Sequence, residues 1–98
     1  VFTGTLRIDL RLGDVHSLKQ KRSVVRPIVA EVQRRFSVSV AETDHHDLYR
    51  RAEIGVAVVS GDGRQCRDVL DSVERLLADR PEVEVLEVRR QLFSGDDD

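Results

Sequence analysis

From Phe2 to Leu12 apolar and polar positions alternate without a break. Phe2, Gly4, Leu6, Ile8, Leu10 and Leu12 share one parity, and Thr3, Thr5, Arg7, Asp9 and Arg11 share the other. A period of two predicts a strand with one buried and one polar face. The polar face argues against helices on both sides of it. The period changes after Gly13-Asp14, a turn pair. Ser17 followed by Gln20 reads as a capping box, which starts a helix at Leu18. Val25, Ile28, Val29, Val32 and Phe36 then recur at spacings of three and four and form one apolar stripe. Pro27 removes a backbone donor and crowds the carbonyl of Ser23. It predicts a bend, or a short first turn followed by the main helix, with a start at Pro27 as the alternative.

Alternation returns over Ser37 to Thr43, a short strand with an edge character. The polar turn Asp44-His45-His46-Asp47 follows, then a third strand from Arg51 to Ser60. Ile54, Val56 and Val58 lie on one face of that strand, and Glu53, Gly55, Ala57 and Val59 on the other. Asp62 with Gln65 makes a second capping pair. Cys66, Val69, Leu70, Val73, Leu76 and Leu77 line a second amphipathic helix that stops near Asp79-Arg80-Pro81. The last strand, Glu82 to Phe93, changes parity between Val85 and Val88, and a bulge near Val85 would reconcile its two halves. The order βαββαβ predicts an α+β fold, the ferredoxin-like split βαβ arrangement: a four-stranded antiparallel sheet with two helices on one face. Its strand order is fourth, first, third, second. The expected core is Leu6, Ile8, Leu10, Val32, Phe36, Ile54, Val56, Val58, Val69, Leu70, Val73 and Leu77. Residues 1–93 make one domain, and 94–98 an acidic, disordered tail.

Composition narrows the class. With 98 residues, 40% hydrophobic and 35% charged, the chain suits one modest core and a globular, soluble domain. No apolar run approaches the ~20 residues of a membrane span, so no membrane partner is expected. The single Cys66 cannot form an internal disulfide and fits a reducing cytoplasm. A formal net charge of -2 argues against indiscriminate nucleic-acid binding, and no DNA partner is expected. That balance hides a basic stretch, Lys19, Lys21, Arg22, Arg26, Arg34 and Arg35, whose only acid is Glu31.

The expected topology gathers chemistry at one end. The first two strands run parallel, so the turn Gly13 to Ser17 and the turn Asp44 to Arg50 become neighbours beside the first helix start. The candidate anion- or RNA-binding residues there are His16, Ser17, Lys19, Lys21, Arg22, Arg26, His45, Tyr49, Arg50 and Arg51. Cations at a helix N-terminus oppose the helix dipole unless an anion joins them, and free backbone donors there would bind the same anion. RNA phosphate fits, with Tyr49 available for stacking. The competing reading is a solvated face paired internally with Asp14, Asp44 and Asp47. The open sheet lacks the aromatic pair of an ordinary RNA-recognition domain, so any RNA contact is expected at the loop end and helix.

Other chemistry has bland explanations. His16, His45 and His46 with Asp44 and Asp47 match no compact metal motif, and neighbouring cations repel a metal ion. Cys66 has Arg64 and Arg67 nearby but sits on the apolar stripe, as a buried structural thiol would. Gly61-Asp62-Gly63 lacks the lysine and hydroxyl residue of a phosphate loop. No nucleophile, base and orienting group line up. Neither an enzyme, a metal nor a cofactor is expected.

The run His16-Ser17-Leu18-Lys19-Gln20-Lys21-Arg22-Ser23-Val24-Val25 resembles the signature of the YlxP-like family, a bacterial domain family of unknown function. Ser39-Val40-Ala41-Glu42, Asp44-His45 and Ala57-Val58-Val59-Ser60 are similar to it as well, and the resemblance spans Phe2 to Phe93. It implies a ferredoxin-like fold. The family's genes often lie beside translation and ribosome-maturation genes, which implies a role near RNA or ribosomes. His46 and Tyr49 stand where members often carry glutamine and tryptophan, and Pro27 interrupts a helix that usually lacks it. The resulting expectation is a non-enzymatic binding protein that contacts RNA or ribosomal particles through its basic end. The alternatives are a homodimeric or protein-interaction module using the open sheet, with edge strands that could pair across chains, and a small-molecule regulatory domain.

Overall fold

A computed structural model of the chain describes residues 1–95. Its elements follow the order β1 (Phe2–Leu12), α1 (Leu18–Phe36), β2 (Ser39–Asp44), β3 (Arg51–Ser60), α2 (Gly63–Ala78) and β4 (Val83–Ser94). The sheet order is β2-β3-β1-β4, and every neighbouring pair is antiparallel. The architecture is ferredoxin-like, with both helices packed on the face that carries Leu6, Ile8 and Leu10.

Ser17 Oγ accepts from Gln20 N at 3.1 Å, and Gln20 Oε1 accepts from His16 N at 2.6 Å. The reciprocal bond of the cap thus reaches one residue further back than expected. α1 continues through Pro27 without a break. Pro27 and Ser23 both lie on the solvent side, where the carbonyl that loses its partner can reach water. Ser37 ends the helix in the left-handed region (φ 51°), so β2 starts at Ser39 rather than Ser37. α2 is capped by Asp62, whose carboxylate accepts from Arg64 N at 2.9 Å.

One continuous core joins the sheet to both helices. Leu6, Ile8, Leu10, Leu12, Ile28, Val32, Ile54, Cys66, Leu70, Val73 and Leu77 are fully buried in it. Phe36 and Val69, expected inside, are only half-buried at its margin, and Val25, Ile28 and Ala52 take fuller places. Gly4 lets α2 approach β1: a Cβ there would lie 2.9 Å from Leu70 Cδ1. β4 carries the irregularity that its parity change demands. Glu87 faces Asp9 and Val85 faces Leu10, so Leu86 is the extra residue. β4 runs one residue into the expected tail, through Ser94, and Gly95 N donates to Val1 O at 2.9 Å. The remainder of that tail, 96–98, lies outside the described residues. No helix of the described residues is long and apolar enough to cross a membrane.

Candidate functional site

The end of the sheet beyond Leu12 is closed by backbone bonds. Leu12 N donates to Arg50 O at 2.8 Å, which ties the exit of β1 to the entrance of β3. The turn after β2 is held by Leu48 N donating to His45 O at 3.0 Å, with His45 in the left-handed region (φ 63°). Asp44 Oδ1 accepts from His45 N at 2.7 Å, so this aspartate serves the backbone of its turn. Arg50 Nε donates to Val15 O at 3.2 Å and bridges the two turns. The start of α1 and the turn 44–50 are therefore neighbours, as the strand order requires.

Individual side chains divide into those spent internally and those left to solvent. Lys21 belongs to the first group. It is only 2% exposed, with Nζ at 2.7 Å from Glu42 Oε2 and 2.6 Å from His45 O. Its expected part in an anion-binding surface is corrected: the ammonium points inward and is already neutralised. The physical reason is its place four residues before Val25, on the buried side of α1. Arg51 is likewise engaged, holding both carboxylate oxygens of Asp9. His45 Nε2 lies 3.6 Å from the same Asp9 carboxylate. His16 is exposed and its Nε2 bonds Asp14 Oδ1 at 2.6 Å. Ser17 is occupied as the cap of α1.

Lys19, Arg22 and Arg26 are exposed and make no ion pair with any described residue. Their spacings of three and four place them on one solvent-facing stripe, opposite Lys21, Val25, Ile28 and Val32. Arg34 lies beside the same stripe two turns on and is also exposed and unpaired among the described residues. Neither Asp14, Asp44 nor Asp47 reaches these cations. Glu31, the one acid of α1, is taken by Arg80 and by Arg35 at 3.5 Å. Its pKa is lowered from the usual carboxylate value, chiefly by the hydrogen bond from Arg80. The face from Lys19 to Arg34 spans about 22 Å at 1.5 Å per residue; its exposed apolar residues are Pro27 and Ala30, with Val29 half-buried on its flank.

Tyr49 and Leu48 are half-exposed at the tip of the turn. With Val15, His16, Arg50 and Arg51 they line a shallow hollow of about 380 Å3. Among the described residues no three His, Cys, Asp or Glu side chains are gathered as a metal ion would need. Cys66 is buried, and its Sγ approaches Phe2 O at 3.7 Å.

Two partners escaped the sequence reading, Asp9 and Glu42. Glu42 shares the parity of Val40, which points it toward α1. A carboxylate on an inward parity, and a lysine in step with Val25, Ile28 and Val32, together signalled the buried pair. The Asp9–Arg51 contact depends on strand register, which the sequence does not reveal.

Known proteins give the same picture of the fold and the lineage. A de novo designed protein with ferredoxin fold, solved by solution NMR, superposes with a TM-score of 0.52 at 13% identity, covering 96% of this chain and 87% of the design. That likeness concerns the fold alone. The uncharacterized protein YlxP of Bacillus subtilis (strain 168) is 35% identical over 90 residues, covering 92% of this chain and 98% of that protein. Residues 3–90 match the family described as Protein of unknown function (DUF503). The chain is a member of this YlxP-like family, DUF503.

Proposed function

We propose that the protein is a non-enzymatic RNA-binding module that grips phosphate through the outer face of α1. One observation carries the reading: Lys19, Arg22, Arg26 and Arg34 form an exposed cationic stripe that no carboxylate among the described residues neutralises. Uncompensated cations beside a helix start are unfavourable until an anion joins them. A stripe about 22 Å long suits successive phosphates of a polynucleotide better than one small anion. The same face lacks the large apolar residues by which an amphipathic helix enters a lipid surface. Tyr49 and Arg50, at the neighbouring turn, supply a ring and a guanidinium for a base next to the bound backbone. The net charge of -2 keeps the rest of the molecule from attracting nucleic acid at large, so structured RNA or a ribosomal particle is the fitting target. The reading assigns the protein to the cytoplasm, where Cys66 stays reduced.

The test is recovery of the protein from bacterial lysate at low salt, with and without ribonuclease, then identification of what accompanies it. The variant Lys19→Ala/Arg22→Ala/Arg26→Ala is compared in parallel. RNA retained by the wild type and lost by the variant supports the assignment. Absence of RNA from the wild type, or equal retention by both at every salt concentration, removes it.

A further inference from the structure

The open face of the sheet carries its side chains in rows that cross the strands. Strand register sets the rows. Glu84, Arg11 and Arg51 are level with one another; the next row holds Glu87, Asp9 and Glu53; then come Arg89, Arg7 and Gly55. Beyond these lie Gln91, Thr5, Ala57 and Ser39, and the last row is Phe93, Thr3 and Val59. Across β4, β1 and β3 one row is thus wholly acidic, and the row beside it holds Arg89, Arg7 and Gly55, with Ala41 of β2 next to the glycine. Short side chains in the row of Thr5 and Ala57, with Gly55 and Ala41 beside them, leave a hollow of about 870 Å3.

On β4, β1 and β3 the face is electrically balanced. Arg7, Arg11, Arg51 and Arg89 oppose Asp9, Glu53, Glu84 and Glu87, with contacts that include Arg7 Nε to Glu53 at 3.3 Å and Arg89 Nε to Glu87 at 2.8 Å. These pairs do not exhaust the groups. The side chains of Arg7, Arg89 and Glu87 stay 53%, 65% and 54% exposed, and each guanidinium has donors to spare. A cationic surface such as the outer face of α1 repels its own copy. A balanced, banded one does not.

We infer that this face binds a second copy of the chain, related by a two-fold axis that runs across the strands between the Asp9 row and the Arg7 row. That half-turn lays β1 on β1 in opposite directions. The acidic row of each copy then faces the Arg7–Arg89 row of the other. The same operation sets the long side chains of the Arg11 row over the short-residue row of Thr5 and Ala57, so charge and shape are matched together. Other two-fold registers match less well: an axis between the Arg11 and Asp9 rows sets Glu84 against Glu87 and leaves the Arg7–Arg89 row without an acidic partner row. An axis along the strands, or one on either charged row, stacks like charges. An axis between the Arg7 and Thr5 rows sets the carboxylates against Val59 and Phe93. Isologous contact of this kind is the commonest route to a soluble dimer.

The size of the face sets the strength. Three strands of about ten residues cover roughly 34 by 14 Å, and β2 adds a margin. Stable interfaces bury about 800 Å2 per partner. The footprint lies below that size, so dimerisation is expected to be concentration-dependent.

Sedimentation equilibrium over low-micromolar to near-millimolar concentrations tests this on four samples: wild type, Arg89→Glu, Glu87→Arg, and an equal mixture of the two variants. Both positions are exposed on an edge strand, and thermal unfolding of each variant checks that it folds. The wild type dimerises. Each variant alone places like charges against each other across the axis and weakens dimerisation tenfold or more. The mixture restores it, because each reversed charge then meets the reversed charge of its counterpart. A monomeric wild type, unchanged dimerisation in the single variants, or a mixture that fails to recover overturns the inference. The Lys19/Arg22/Arg26 alanine variant dimerises like the wild type, so loss of RNA binding and loss of dimerisation are told apart.

Discussion

Lys21 Nζ lies 2.7 Å from Glu42 Oε2 beneath the surface, and this contact fastens the first turn of α1 to the end of β2. Because Nζ also donates to His45 O at 2.6 Å, the strained turn after β2 is held by the same ammonium. A residue that looks like part of a basic patch is a structural rivet. Lys21→Ala is expected to destabilise the fold by about 3 kcal/mol, the low end for a broken buried pair, since Glu42 keeps some contact with water. Lys21→Met combined with Glu42→Leu should cost less than the two single changes added together. Urea unfolding of Lys21→Ala and of the four proteins of that cycle measures this, and strict additivity would refute the pairing.

Phosphate contacts and structural contacts separate in their response to salt. The logarithm of RNA affinity falls with the logarithm of salt concentration by about 0.7 to 0.9 per neutralised phosphate. Removing Lys19, Arg22 and Arg26 together should therefore flatten the slope by about two, with stability unchanged within about 0.5 kcal/mol per surface site. Filter binding from low to moderate salt gives the slope. A variant with the wild-type slope and a uniformly reduced affinity would point to damage elsewhere.

Packing between β1 and α2 rests on Gly4 and Leu70. Leu70 is fully buried, so Leu70→Ala should cost about 2–5 kcal/mol. Gly4→Ala drives a methyl to 2.9 Å from Leu70 Cδ1 and 3.3 Å from Val58 Cγ1, an overpacking worth about 1–3 kcal/mol. In combination the added methyl enters the space left by the leucine. The double variant should be more stable than the sum of the single effects predicts, and independent effects in chemical denaturation would contradict the packing described.

Acid sensitivity has one identified source. The Arg80 hydrogen bond, helped by Arg35, holds the Glu31 pKa below its usual 4.5 in the folded protein. As pH falls, the unfolded chain takes up this proton first, so folding loses stability through the window below 4.5. Above it the contribution is fully present. Glu31→Gln should shallow the fall in unfolding midpoint between pH 5 and pH 3, a window set by the ordinary carboxylate range. Identical acid limbs for variant and wild type would show that Glu31 has no such role.

Element order and both helix starts could be read from the sequence because each rests on short-range chemistry, and the sheet order followed from the element order through the handedness of the crossovers. The alternation of β1, the cap at Ser17 and the stop at Asp79-Arg80-Pro81 are examples. What stayed hidden depends on pairing between distant residues. Arg51 looks like a free cation until the register brings it to Asp9. Lys21 was legible and misassigned: its charge outweighed its position on the apolar stripe, although in the fold position decides. β2 was set to begin too early because Ser37 continues the alternation, yet its left-handed backbone belongs to the helix end. Local pattern thus located the basic end, and tertiary contact determined which of its cations remain available.

The extra residue at Leu86 works in β4 as a frame shift works in a reading frame. Upstream, Val83 and Val85 are the inward residues; downstream, Val88 is inward although its parity is opposite. Delete that one residue and β4 becomes a regular strand: Val85, Glu87 and Val88 keep their faces and their partners Leu10, Asp9 and Ile8. The bulge at Leu86 thus lets a sequence that changes parity keep its charges on one face. Loss of Leu86 is absorbed in this way, whereas a one-residue insertion elsewhere between Glu84 and Leu92 exchanges inside and outside over the rest of the strand unless a second bulge forms.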